Sequence, residues 1–399
     1  RRKAKHLAEC CGKFVREAVV EFNSKHVGNV KECLRILKIL SRNVNLEKFA
    51  LRPLSCQVEW PIREAVDTKD MYLDALEQTI RNSRKLKHLS LGCISDLLDH
   101  AEEWLPLLAA FQGDSLEVLH LSSVKEDPES YGLIDLPLTD LGNLSNLHTL
   151  GIDYDYVSVS LLDTLMQKDH APLERLIIHV HGVEPGHEKI PNHTWQRMVK
   201  QNPSLEVTLN LIHSIDGTLA LLDILQPAMP LAHLRMFFCQ HLNTAAIGFI
   251  SQHNYNTLQS IHIVDGFCLD YGPNQYVTST QENPFVMLAW RCHNLRQFNL
   301  TGYRMDTEDV IAIARLRGNQ LKTLDIPRCC LVSNEMEEQG NLSWSALDAA
   351  HQRCIDEVSK SLGRDWQPVE ETELHLAVVD PMADAEAAYL KLLLQDQIW

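Results

Sequence analysis

Apolar residues recur along this chain in one spacing, L-x-x-L-x-L, with a helical run before each copy, and no other feature limits its fold so tightly. The pattern stands at Leu46, Phe49 and Leu51, at Leu86, Leu89 and Leu91, and at Leu116, Leu119 and Leu121. It returns at Leu147, Leu150 and Ile152, at Leu173, Leu176 and Ile178, and at Leu234, Phe237 and Cys239. Leu258, Ile261 and Ile263 follow, then Leu295, Phe298 and Leu300, then Leu321, Leu324 and Ile326. A unit at Leu205 is irregular, because Val207, Leu209 and Leu211 alternate after a shortened first step. An earlier copy is expected in the strand-like run Val15–Phe22. First positions from 46 to 321 are spaced by 24 to 40 residues, about 31 on average, slightly longer than a regular array of this kind.

Alternation in a short strand sends the leucines to one face and the residues between them to the other. The preceding helix covers the leucine side. Helices are expected at Met71–Asn82, Ser158–Lys168, Gly217–Gln226 and Asp309–Arg317, each with apolar residues at three- and four-residue steps. One such unit cannot bury its own apolar face, but a stack can. The fold class is therefore α/β, a right-handed leucine-rich-repeat solenoid with a curved parallel sheet inside and helices outside. Residues 1–326 are expected to hold about eleven degenerate repeats. Residues 327–343 read as an acidic insertion loop and residues 344–399 as a C-terminal capping region. In that region a helix is expected from Ser345 to Leu362, stopping at Gly363, and a last strand around Trp366, Leu374 and Leu376. A final helix, Ala385–Leu394, follows the Asp380-Pro381 start signal.

Composition narrows the function classes. The chain carries 53 acidic against 37 basic side chains, a formal net charge of −16, which on average repels nucleic-acid phosphates and anionic membrane surfaces alike. No apolar run of about eighteen residues is present, so no transmembrane helix is expected. The basic start Arg1-Arg2-Lys3-Ala4-Lys5 leads into no secretory core, and the missing initiator Met implies a piece of a longer protein. Eleven cysteines with no C-x-x-C pair, most of them inside apolar stretches, fit buried free thiols in the cytoplasm or nucleus. Four N-x-S/T triplets start at Asn143, Asn192, Asn299 and Asn341. Asn299 falls in an expected strand, a poor place for a glycan.

Motifs for catalysis are missing: the sequence holds no G-x-S-x-G, H-E-x-x-H, Walker A or G-x-G-x-x-G. Its richest polar cluster is His179, His181 and His187 with Asp155 upstream. His179 and His181 share a strand face that zinc can use, but the spacing matches no familiar site, so they are expected as exposed histidines. No enzyme activity, cofactor or metal is expected.

The fold offers instead the residues between the leucines, which face the concave side. A protein-contact row is expected from His88, Ser90, His120, Ser122, Thr149, Asp153, Arg175 and His179, continuing through His262, Gln297, Asn299, Thr301 and Asp325. Such a column of His, Ser and Thr with few large charges suits protein contact, in which a few residues carry most of the affinity.

Residues 282–326, ENPFVMLAWRCHNLRQFNLTGYRMDTEDVIAIARLRGNQLKTLDI, place an Asn-Pro helix with Ala-Trp-Arg-Cys before a Gly-Tyr loop. Together with CIDEVSKSLGRDWQPV at Cys354–Val369, this stretch resembles the repeats of F-box only proteins, and the likeness runs through most of the repeat region. The resemblance implies a substrate receptor of an SCF-type cullin–RING ubiquitin ligase. In that family an N-terminal F-box grips the Skp adaptor, the repeats select the target protein, and no residue is catalytic. This chain shows neither the Leu-Pro opening nor the helical trio of an F-box, so the segment is expected upstream. The alternative is a leucine-rich-repeat scaffold or inhibitor without a ubiquitin role, which every pattern above fits equally well.

Overall fold

The computed structural model describes residues 2–61, 68–125, 136–268, 272–275, 282–333 and 344–397. They form two compact units: Arg1–Leu205 with Tyr389–Trp399, and Glu206–Ala388. Each is a stack of strand–helix repeats of the leucine-rich type.

In the first unit the strands are β1 (Glu17–Phe22), β2 (Lys48–Pro53), β3 (His88–Ser90), β4 (Val118–His120), β5 (Thr149–Asp153) and β6 (Arg175–Val180). Each pairs in parallel with the next in chain order. Helices such as Val27–Leu40, Thr68–Asn82 and Ala101–Gln112 return the chain between strands and pack side by side. The register lines up Phe49, Leu89, Leu119, Leu150 and Leu176 across the sheet, and none is more than 2% exposed. Full burial of each such side chain stabilises by about 1.5–3 kcal/mol, so this line holds the unit's core together.

Polar side chains at the helix-to-strand turns tie each repeat to the one before it. Asn43 donates from Nδ2 to the carbonyls of Gly12 (2.8 Å) and Val15 (2.7 Å). Gln112 donates to the carbonyls of Ile80 (2.6 Å) and Ser83 (2.9 Å), and Asn202 Oδ1 accepts from the Leu173 N–H (2.7 Å). Asn254 repeats the device in the second unit, on the Met229 carbonyl (2.6 Å). All are buried, and they satisfy backbone groups that the turn would otherwise leave unpaired.

The second unit carries β7 (Glu206–Ile212), β8 (Leu231–Phe237), β9 (Ser260–Val264), β10 (Gln297–Thr301), the short β11 (Met305–Asp306), β12 (Thr323–Asp325) and the short β13 (Leu331–Val332). β7, β8, β9, β10 and β12 pair in parallel in that order, and β11 pairs with β13. Leu209, Leu234, Ile261, Phe298 and Leu324 form its core line. This register corrects one repeat. Leu234 aligns with Ile261, so the core triplet is Leu231, Leu234 and Met236, displaced from the expected Leu234, Phe237 and Cys239. Both readings satisfy the spacing, and pairing with β9 decides it; against β7 the register shifts between Val207 and Thr208, with Val207 on Leu231 and Thr208 on His233. After β10, Gly302 takes φ +96°, and a Cβ there would stand 2.4 Å from the Asp265 carbonyl oxygen, so only glycine fits.

Most expected helices form, with shifted ends: Thr68–Asn82, Val159–Leu165 and Thr307–Arg317. Ser158 and Asp306 cap the last two by accepting from the N–H groups of Leu161 and Glu308. The expected Gly217–Gln226 helix is broken into Ile215–Leu219 and Leu221–Ile224. Helix Trp344–Leu362 stops at Gly363, which takes φ +67°. It lies on Thr307–Arg317, joined by Arg315–Glu357 (2.8 Å) and Arg353–Glu308 (3.1 Å). Trp366 closes the last strand by donating to the Leu324 carbonyl (2.6 Å).

One expectation for the C-terminal region fails. No strand forms at 366–376: Val369 makes a single bridge to Pro327, and a 3-10 turn (Glu371–Glu373) and a short helix (Leu376–Val379) follow. The final helix forms as Glu386–Gln395, and Gln397 just after it bonds to His88 and Ser90 of β3 and to Ser122, two residues past β4. Of the acidic insertion, residues 334–343, with the Asn341 triplet, lie outside the described residues.

Leu150→Ala is expected to lower unfolding free energy by about 2–5 kcal/mol. Leu54→Ala, at a side chain 66% exposed, is expected to stay within about 0.5 kcal/mol of wild type. Urea denaturation compares them, and equal losses would contradict the core assignment.

Candidate functional site

On the sheet face turned away from the leucine line, the first unit carries two polar rows. One runs Lys48–His88–Val118–Thr149–Arg175, the other Ser90–His120–Gly151–Ile177, with Asp153 beside His179 at the strand ends. These residues were expected to be open to solvent. Instead His88, Ser90, His120, Ser122, Thr149, Asp153 and His179 are all buried, none above 7% exposed. Arg175 stays half-exposed, as do Lys48 and Val118 in the same row.

The chain's own C-terminal residues are one cause. The carbonyl of Gln397 accepts from His88 Nε2 at 2.8 Å, and its side-chain oxygen accepts from the Ser90 hydroxyl at 2.6 Å. Its amide nitrogen donates to Cys93 Sγ at 2.7 Å and Ser122 Oγ at 3.5 Å. Asp396 lies 3.7 Å from Arg175. Burial pushes the His88 pKa down to about 4, so at neutral pH its single proton sits on Nε2, where the Gln397 carbonyl needs it.

Ser123 is the other cause. Its N–H and its hydroxyl both donate to the Asp153 carboxylate, and its carbonyl accepts from His179 Nδ1 (2.8 Å) and His181 Nε2 (3.0 Å). Burial raises the Asp153 pKa against the opposing pull of His179 and Ser123, and lowers that of His181 to about 3. Asp153, His179 and His181 converge to within 4.8 Å and form a two-histidine, one-carboxylate set of the kind zinc takes. Ser123 is the shared hydrogen-bond partner of all three. His187 lies instead against Tyr154, ring centroids 4.4 Å apart, and Lys125 pairs with Asp155.

His120 differs from its neighbours. Its ring fills the space above Gly151, where a Cβ would stand 2.6 Å from Nδ1. Both ring nitrogens are buried with no hydrogen-bond partner among the described residues, and burial lowers its pKa well below the ordinary value.

In the second unit the corresponding face carries Thr208–His233–Ser260–Gln297–Thr323 and, beside it, Asn210–Arg235–His262–Asn299–Asp325. Here the expected row is accessible: Gln297 and Thr323 are exposed, and His262, Asn299 and Asp325 half-buried. Thr301 is buried and donates to Asn299 Oδ1 (3.2 Å). His233 Nδ1 meets Ser260 Oγ at 2.7 Å. Burial, and then Arg235, lower the His262 pKa to about 4, while burial raises that of Asp325. Asn210 is fully buried, with neither side-chain atom paired among the described residues. His233 and Arg235 were missed from sequence because the β8 register was set three residues late; the triplet Leu231, Leu234 and Met236 would have revealed them.

The class these units define is a leucine-rich-repeat protein. The chain is similar to F-box only protein 33 of Homo sapiens, 28% identical over 76% of this chain and 54% of that protein. It is similar to its Mus musculus counterpart, 27% identical over 87% of this chain and 62% of the other. F-box/LRR-repeat protein 21 of Ovis aries is 23% identical over 75% of this chain and 62% of that protein. The chain thus spans a little over half to about three-fifths of these relatives' lengths. Among solved structures, the leucine-rich repeat-containing protein LegL7 from Legionella pneumophila matches 86% of this chain and 98% of its own, at 14% identity and a TM-score of 0.38. No family model matches. The resemblance to F-box only proteins is therefore borne out over most of the chain.

His88 gives a pH test. With its pKa lowered from 6.5 to about 4 in the fold, the unfolded chain binds more protons between those values. Its stabilising contribution is complete above pH 6.5 and is lost as pH falls toward 4, by up to about 1.4 kcal/mol per pH unit. Buried Asp153 and Asp265, whose pKa values are raised, act in the opposite sense but are common to wild type and His88→Gln. Urea unfolding at pH 7 and pH 5 is expected to show a smaller acid loss in His88→Gln. Parallel profiles would contradict the neutral, buried His88.

Proposed function

We propose that this chain is the target-binding part of a substrate receptor of an SCF-type cullin–RING ubiquitin ligase. The reading is carried by one observation: likeness to F-box only protein 33 over three-quarters or more of the chain, spanning the repeats. In such a receptor an F-box grips the Skp adaptor, and the repeats hold the target. The receptor does no chemistry of its own; it holds a protein target while the ligase transfers ubiquitin. The second unit's face is the surface for that target, because Gln297, Thr323, Asn299, His262 and Asp325 are accessible there. They offer donors and acceptors in a regular grid, as a polar protein interface requires.

The cytoplasm or nucleus suits the cysteines. All eleven are free and seven are buried, and burial raises Cys33, Cys239, Cys292 and Cys354 to about 12, leaving them as inert thiols. No helix among the described residues is long and apolar enough to cross a membrane.

The test is affinity capture of the full-length protein from cells, read by mass spectrometry. Skp adaptor, cullin and a set of target proteins are expected. The double variant Gln297→Arg, Thr323→Arg is expected to lose targets at least about tenfold while keeping Skp. Capture of targets without Skp or cullin would instead make the chain a repeat scaffold with no ubiquitin role.

A further inference from the structure

Where a helix gives way to a strand, one residue of each repeat stands at the strand start, and backbone hydrogen bonds link these residues into a column across the sheet. In the first unit the column runs Arg16, Glu47, Lys87, Glu117, His148 and Glu174. Its basic and acidic residues alternate, and two neighbouring pairs close: Arg16 with Glu47 at 3.5 Å and Lys87 with Glu117 at 2.7 Å. In the second unit the column runs Ala232, Gln259, Arg296 and Lys322. Two cations thus stand on adjacent strands, whose backbones lie about 4.8 Å apart, and like charges set across a sheet destabilise it. Both are exposed, and neither makes an ion pair among the described residues. In a chain of net charge −16, this local positive charge runs against the average.

Arg296 and Lys322 line a surface groove together with His293, Leu316, Arg317 and Gln320. Arg317 is an independent sign of an anionic occupant. It is only 9% exposed, its Nη1 donates to the Cys292 carbonyl (3.1 Å), and its Nε is buried with no hydrogen-bond partner among the described residues. A carboxylate in the groove would supply the acceptor that this guanidinium lacks. His293 also lines a second hollow with Tyr255, Trp290 and Arg291. Trp290 and Tyr255 are 54% and 44% exposed, and the Arg291 guanidinium lies 5.7 Å from the Trp290 ring centre. Exposed Trp, Tyr and Arg side by side are the residue types on which protein contacts most often rest.

We propose that the groove of His293, Arg296, Arg317 and Lys322 is a docking site for an acidic segment of a partner protein, with Trp290 and Tyr255 receiving an apolar side chain beside it. An extended segment turns alternate side chains to one side, so carboxylates two residues apart can both face the groove. Complementary charge here, on a chain that otherwise repels acidic partners, sets where such a segment lands. The groove is a second surface, distinct from the polar grid of the same unit, since neither Gln297 nor Thr323 lines it. It does not depend on the ligase link.

The test uses the purified chain and a short fluorescein-labelled peptide of alternating glutamate and serine, followed by fluorescence polarisation. Wild type is expected to bind it at least about tenfold more tightly than the same peptide with glutamine for glutamate, and more weakly as salt is added. Lys322→Glu is expected to lose that preference while keeping its fold, because it gives Arg296 the opposite charge that Glu47 gives Arg16. Should it fail to fold by circular dichroism, Arg296→Gln with Lys322→Gln takes its place. Lys13→Glu with Lys85→Glu, at two exposed positions of the first unit, is expected to bind as wild type does. The proposal is overturned if the glutamate and glutamine peptides bind alike, or if Lys322→Glu leaves the affinity unchanged. It is equally overturned if the first-unit variant loses as much, or if a labelled single-stranded oligonucleotide binds more tightly than the glutamate peptide. Failure to capture Skp in cells would leave the result standing, since the assay contains only the chain and its probe.

Discussion

Every repeat of this chain depends on its neighbour to keep its leucines dry. A three-residue strand such as β3 buries Leu89 completely only because Phe49 and Leu119 flank it in register. The backbone obeys the same rule, since Asn43, Gln112, Asn202 and Asn254 each complete the hydrogen bonds of the preceding turn. Stability of this kind accumulates between neighbours, without a single central core. Long and irregular connections are tolerated as long as the line of apolar residues and these turn anchors persist. That tolerance explains how spacings from 24 to 40 residues coexist with one strand register.

The same geometry sorts the polar residues. Those between the leucines must face away from the core, but facing away is not the same as being wet. In the first unit, Ser123 gathers Asp153, His179 and His181 into one closed hydrogen-bonded set, and Gln397 covers His88 and Ser90. In the second unit the equivalent grid stays accessible around Gln297 and Thr323. Burial has a chemical consequence: it lowers the pKa of His88 and His181 to about 4 and 3, so at physiological pH they serve as hydrogen-bonding groups without charge.

Much of this was legible in the sequence, and the remainder was hidden for definite reasons. Apolar periodicity located the strands because burial of the leucines is what selects them, and Gly363 marked a helix end because φ +67° favours glycine. The register of β8 was ambiguous, since Leu231 and Leu234 both begin a valid triplet and only pairing with Ile261 chooses between them. The residues between the leucines do face away from the leucine line, but in the first unit His88, Ser90, His120 and Thr149 are buried there. The contact of Gln397 with His88 joins residues 309 apart in the chain, and no local pattern records such a meeting. Ser123 was passed over because a single serine just past a strand carries no signal until three side chains are seen to converge on it.

The most direct measurement is histidine footprinting of the folded chain with diethyl pyrocarbonate at pH 7, read by peptide mass spectrometry. The exposed His253 and His293 are internal references. His88, His120, His179 and His181, none more than 5% exposed, are expected to react at least about tenfold more slowly than those references, because modification must wait for local opening. Reaction of His120 and His179 at the rate of His253 would contradict the account, since the polar row of the first unit would then be open to solvent.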